Sequence, residues 1–178
     1  GRAKLNIPTM EPNLSYIEGG RIIEIAAPPA EMHKNSIRHL AIGPKGQVAF
    51  GMQWQGSRPV ASLVGVHQIG SPMRLMSAPA EDLRAMQGYV GSVAYSADGQ
   101  TIAVTSPRGG ILQLYSAETG TLSRSFTLPD VCGVATFEDT LTVSSGTGDL
   151  KQLSEKERLQ GQRADAHWDN HLIPIPVG

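Results

Sequence analysis

Three observations on the chain predict an all-β fold of repeated four-stranded blades. First, a unit recurs: Arg38-His39-Leu40-Ala41, Gly91-Ser92-Val93-Ala94 and Cys132-Gly133-Val134-Ala135 open three copies. Gly46 lies over Gly99 at an offset of 53 residues, and Ser92-Val93-Ala94 over Gly133-Val134-Ala135 at an offset of 41. Second, each copy breaks into about four short segments of β-branched, apolar and small residues divided by turn residues. Third, 20 glycines and 12 prolines against 3 phenylalanines suit a chain of many reversals. Periods of about 40 to 50 residues with four strands each are the signature of a β-propeller.

The clearest unit spans residues 91–128. Strands are expected at 92–96, 101–105, 111–116 and 122–128, with reversals at Asp98-Gly99, Arg108-Gly109-Gly110 and Glu118-Thr119-Gly120. Glycine is apt there because these reversals call for positive φ. The following unit repeats the meander at 134–137, 141–145, 150–153 and 158–163, turning at Glu138-Asp139 and Thr147-Gly148-Asp149. The first full unit is looser, with strands at 37–42, 47–52, 61–68 and 73–76. Before it, 14–17 and 21–25 flank Gly19-Gly20 and read as the outer half of an earlier blade. Two linkers, Pro28-Pro29-Ala30-Glu31-Met32 and Pro79-Ala80-Glu81-Asp82-Leu83, place proline at a helix start with acids in the first turn, and Gly88 supplies a stop. His171-Leu172 aligns with His39-Leu40, so 167–173 is expected to be the innermost strand of a further blade. About three blades with partial blades at both ends result. Closed propellers use about 4 to 8, so residues 1–178 are expected to form the C-terminal half of a larger ring.

At 40% hydrophobic and 17% charged residues the chain is globular in character, and its formal net charge of −1 with interspersed acids and bases gives no reason to expect nucleic acid as a partner. No apolar run approaches the roughly 20 residues of a membrane helix, so no membrane span is expected. One cysteine, Cys132, rules out an internal disulfide or a multi-cysteine metal cluster.

In a blade, the innermost strand starts at one face of the disc, and the connection between the second and third strands returns to that face. Sorted this way, one face receives only ordinary turn residues: Pro44-Lys45-Gly46, Ala97-Asp98-Gly99, Glu118-Thr119-Gly120 and Glu138-Asp139. The other receives Arg38, His39, Gln53, Trp54, Tyr89, Arg108, Cys132, Trp168, Asp169, Asn170 and His171. Aromatic, guanidinium, imidazole, amide and thiol groups at a channel mouth have the make-up of a ligand site. These residues are the candidate ligand-binding set.

Each has a structural alternative. His39 and His171, with His167 and Asp169 as further donors, are candidate metal ligands, because imidazole and carboxylate suit iron, zinc and copper, or the histidines hydrogen-bond neighbouring blades or a ligand. Arg38 and Arg108 form an anion clamp or tie loops together. Cys132 is a thiolate ligand or nucleophile, or a small buried filler. Trp54 and Trp168 stack on a flat ligand or pack inward. Gly146-Thr147-Gly148 reads as a turn, because a strand follows it where a phosphate loop needs a helix. No Gly-x-Ser-x-Gly, His-Glu-x-x-His or Cys-x-x-Cys occurs. A triad drawn from Ser92 or Ser106, His39 and Asp130 stays open, since triads are recognised by geometry. The cofactor is left unspecified.

The stretches Gly1-Arg2-Ala3-Lys4-Leu5-Asn6, Ser36-Ile37-Arg38-His39-Leu40-Ala41, Gly51-Met52-Gln53-Trp54-Gln55-Gly56, Gly88-Tyr89-Val90-Gly91-Ser92-Val93-Ala94, Thr105-Ser106-Pro107-Arg108-Gly109-Gly110, Asp130-Val131-Cys132-Gly133-Val134-Ala135 and Trp168-Asp169-Asn170-His171-Leu172 carry a resemblance. The chain resembles a family of bacterial exported β-propellers with twin-arginine signals, about twice as long, often encoded beside imelysin-like iron-uptake lipoproteins. The resemblance implies a periplasmic location and an accessory part in iron uptake, but no particular activity. The reading is therefore a non-enzymatic propeller that holds a small molecule, a metal complex or a protein partner. An iron-uptake lipoprotein docking on the 80–88 insert is one such partner. The alternative is a metal-dependent redox or hydrolytic enzyme using the same face.

Overall fold

The structure, a computed structural model, describes residues 6–57, 59–153, 158–169 and 171–175. A two-stranded ribbon comes first: β1 (Leu14–Glu18) and β2 (Arg21–Ala26) joined through Gly19 and Gly20, both at positive φ. Three antiparallel meanders follow. Blade A holds β3 (Asn35–Ile42), β4 (Val48–Trp54), β5 (Val64–His67) and β6 (Arg74–Leu75). Blade B holds β7 (Ser92–Tyr95), β8 (Thr101–Ser106), β9 (Ile111–Ser116) and β10 (Leu122–Thr127). Blade C holds β11 (Val131–Phe137), β12 (Thr140–Ser145), β13 (Asp149–Leu153) and β14 (Leu159–Arg163). The first strands β3, β7 and β11 are neighbours, so they form the inner wall and the blades fan outward. This is the expected β-propeller.

Alternation along the strands builds the seams between blades. On β8, Ile102 and Val104 join Leu63, Val64, Met76 and Tyr95 between blades A and B, while Ala103 joins Leu114, Val134 and Val143 between blades B and C. A smaller cluster of Leu14, Met32, Val48, Phe50 and Met52 seats the ribbon on blade A.

Both linker inserts form where proline and acids place them, one as a 3-10 turn at Ala30–Met32 and one as α1 (Ala80–Ala85). The second is embedded in the fold, because Met86 is fully buried, Ser106 Oγ donates to the Met86 carbonyl (2.8 Å) and Gln113 Nε2 donates to the Asp82 carbonyl (3.0 Å). An insert held this way is part of the A–B seam. Blade A departs most from expectation: the strand read at 61–68 is only Val64–His67, since Ser62 is buried and its hydroxyl bonds the carbonyls of Val64 and Met76.

The expected innermost strand over 167–173 is corrected in part. Among the described residues 167–169 and 171–175 form no strand ladder. They nonetheless follow the course such a strand would take, with the Trp168 and Asp169 carbonyls at Cys132, Leu172 beside Gly133, and Leu172 and Pro174 lining the channel with Ala41, Val93 and Ala135.

Candidate functional site

The registers put the starts of β3, β7 and β11 and the β4–β5, β8–β9 and β12–β13 connections at one end: Asn35 pairs with Trp54, Ser92 with Thr105, and Val131 with Ser145. This end carries the predicted residues, and the structure sorts them into two groups.

The first group lies on the seam between blades A and B. Gln53 bridges to Tyr89, and Gln53 Nε2 donates to the Val90 carbonyl at 3.2 Å. Arg108 lies over the Tyr89 ring with its Cζ 4.5 Å from the centroid, a cation–π contact. The loop carrying Arg108 is fixed by close approach. A side chain at Gly109 would strike the Ala85 carbonyl, and Ser106 Oγ accepts the Gly109 N–H. Trp54 donates its backbone N–H to Gly88 (2.8 Å) and, with Pro59, Val60, Leu83 and Arg84, walls an apolar cleft of about 380 Å³ against α1.

The second group lies on the channel. His39 and His171 face each other with ring centroids 5.3 Å apart at a tilt of 46°. Burial, then the charges of His171 and Arg38, push the His39 pKa below its ordinary value, so this ring favours the neutral form. Cys132 is buried, and its thiol donates to the carbonyl of Asp169 at 3.1 Å and of Trp168 at 3.5 Å. The sulfur thus anchors the 167–169 segment. Asn170 lies outside the described residues.

Two predicted arrangements are not assembled by any contact among the described residues. Arg38 lines a polar cleft with Asn6, Thr9, Glu11 and Asn13, away from the Tyr89 ring that Arg108 covers, so no shared clamp forms. Ser92 and Ser106 are buried, and their hydroxyls serve the backbone at Val134 and Met86 respectively.

One polar cluster was missed from sequence. His67, 2% exposed, places Nε2 3.2 Å from Glu24 Oε1 and Nδ1 2.9 Å from the Tyr16 hydroxyl, while Gly70 N–H donates to Glu24 Oε2. Burial, then Glu24, raises the Tyr16 pKa. This cluster ties the ribbon to blade A near the turn end, since His67 pairs with Val48. No spacing signal could reveal it, because its members sit on separate sheets.

A family model described as "Protein of unknown function (DUF1513)" matches residues 1–175. The chain belongs to the DUF1513 family. No curated protein matches it. Solved structures similar to this DUF1513 protein are propellers of mixed function. One is virginiamycin B lyase from Staphylococcus aureus with quinupristin (TM-score 0.64, 14% identity, covering 86% of this chain and 49% of that one). A second is a gluconolactonase from Xanthomonas campestris (TM-score 0.59, 20% identity, 85% and 55%). A third is the dihydro-heme d1 dehydrogenase NirN in complex with DHE (TM-score 0.63, 14% identity, 90% and 35%). The DUF1513 chain thus spans about half or less of the length of these structures. At these identities the likeness establishes the fold alone.

Proposed function

We propose that this DUF1513 protein is a periplasmic, non-enzymatic propeller that binds a small ligand, metal complex or partner protein at the strand-start end of its channel, as an accessory to iron uptake. The observation that supports it most is the clustering at that end of Arg108 on Tyr89, Gln53 beside them, and His39 against His171. A site needs a few oriented polar groups in a partly apolar concavity, and the Trp54 cleft adjoins this clustering. Two of the similar propellers carry small molecules in their solved structures, quinupristin in the lyase and DHE in the dehydrogenase. The periplasmic setting and the iron-uptake role rest on the family resemblance given by the quoted stretches.

Calorimetric titration of the untagged full-length protein with ferric iron, haem and anionic metabolites tests the reading. At least one is expected to bind with an affinity that falls about tenfold in Arg108→Ala or Tyr89→Ala. Silence across all of them overturns it. The enzyme reading is kept alive by the His39–His171 pair, and turnover of a substrate that depends on a natively bound metal would favour it.

A further inference from the structure

The geometry points to the kind of ligand the channel takes: a first-row transition-metal chelate that still has two adjacent coordination positions open, which His39 and His171 fill. This rests on the reading of that end as a binding surface and gives it a chemical class.

Four observations lead there. Two imidazoles bound to one ion at a metal–nitrogen distance of about 2.0–2.1 Å have ring centroids about 4.5–6 Å apart, and the observed separation is 5.3 Å. The rings come from sequence-distant elements, one from β3 and one from the segment crossing the channel, so local chain geometry does not bring them together. His39 is also not required by the blade. Its equivalents in the repeat are Ser92, which bonds the Val134 backbone, and Gly133, which makes room for Leu172. The inner strand is bulged here as well: the β3–β4 register shifts between Ile37 and His39, and the β11–β12 register shifts at the equivalent place between Val131 and Val134. Bulges of this kind re-aim side chains and are frequent beside functional sites.

The chelate follows from what is missing around the pair. Among the described residues no group of three His, Cys, Asp or Glu side chains converges to hold an ion. Dedicated protein sites supply three or four ligands, and two imidazoles fall short of that. An ion arriving with most of its coordination shell already filled by a small organic ligand needs only two more donors. Imidazole nitrogen suits zinc, copper, nickel and iron. Next to the pair along the inner strands, a concavity of about 460 Å³ starts at Ala41 and Leu172, close in the chain to the two histidines, and runs past Val93 and Ala135 toward Pro44 and Ala97 at the turn end, so the organic part has open space on that side.

The test uses nickel(II) nitrilotriacetate, which leaves two adjacent positions open, and nickel(II) EDTA, which leaves none. Calorimetry on the untagged full-length protein is expected to show one-to-one binding of the first and no heat with the second. Affinity is expected to fall about tenfold or more in His171→Ala and in His39→Gln, and to stay unchanged in His33→Ala. His171 is exposed, so its variant folds even if His39→Gln does not. With copper(II) nitrilotriacetate, the imidazole nitrogen splitting in the electron paramagnetic resonance spectrum should be lost in His171→Ala. Unchanged affinity in His171→Ala, equal heat from the EDTA complex, or free nickel binding as tightly as the chelate would each overturn the proposal. If chelates are silent while an anion binds in an Arg108-dependent way, only the chelate class is lost; if every probe is silent, the binding reading fails too.

Discussion

Blade B and the β1–β2 ribbon are built from similar residues but meet opposite surroundings. Every residue of β8 after Thr101 is buried, as is every residue of β9 before Ser116, because blades A and C cover both faces. On the ribbon, Ile17, Ile22, Ile23 and Ile25 are each more than half exposed, and only Leu14 and Ala26 are buried. Isoleucine is equally suited to a strand in both places. A blade therefore draws its stability from its neighbours more than from its own ladder, as in other repeat architectures where interfaces carry much of the energy.

The largest expected effect breaks this comparison most directly. Ile102→Ala, at a fully buried position, should destabilise the protein by about 2–5 kcal/mol in urea unfolding. Ile22→Ala on the ribbon should change stability by no more than about 0.5 kcal/mol. Similar losses from both would mean the ribbon is covered as blade B is.

Next comes the clasp that couples the ribbon to blade A. His67→Gln removes the partner of Glu24 and Tyr16 at a buried site, so a loss of about 1–3 kcal/mol is expected, with faster amide exchange confined to β1 and β2. Uniform exchange across blade A would show instead that the cluster stabilises the blade itself. Blade B has a converse case in Tyr95, whose buried hydroxyl has no hydrogen-bond partner among the described residues and whose pKa burial pushes up to about 12. Tyr95→Phe should leave stability unchanged or raise it by up to about 1 kcal/mol, read as a melting shift.

The smallest effect is a pH dependence at the Asp98 turn. The Ser96 hydroxyl and then the Gln100 N–H hold the Asp98 carboxylate below its ordinary value of 3.8. A depressed folded pKa adds stability that is present above the unfolded value and disappears as pH falls through the folded one. The stability difference between the wild type and Asp98→Asn should therefore shrink as pH drops below about 3.9. A difference constant down to pH 2 would remove the carboxylate from the account.

How much of this was legible in the sequence varies by region for physical reasons. Blade B was read almost to the residue, because Gly99, Gly110 and Gly120 all adopt positive φ and mark its three reversals. The first strand of blade C was read three residues late, since its entry turn uses Asp130 at φ 54, a conformation sequence seldom advertises in a residue other than glycine. The pairing of His171 with His39 was foreshadowed by their alignment in the repeat, and the sharing of one end by Gln53, Tyr89 and Arg108 followed from strand order. Of the two readings of Arg38 and Arg108, a shared clamp or separate ties, the contacts follow the second, with Arg38 lining the cleft beside Asn6 and Glu11 and Arg108 on Tyr89. Arg38 is the residue at the β3 bulge, and the inference from strand order gives the end of the disc on which a residue lies but not the direction in which its side chain points.

The two seams of the ring share ties near the axis, and one of them carries a second set farther out. Between blades A and B, Arg74 donates to the Ala117 and Glu118 carbonyls, and Ser77 bridges to Thr121, all at the outer margin. Between blades B and C the bonds lie near the axis, from Thr105 to Cys132 and from Thr136 to Tyr95, and outside them runs a polar groove of about 600 Å³. The A–B joint is thus tied at its hub, through Gln53 and Trp54, and again at its circumference, whereas Thr105 and Thr136 tie B to C at the hub, so a load applied at the rim falls first on Arg74 and Ser77.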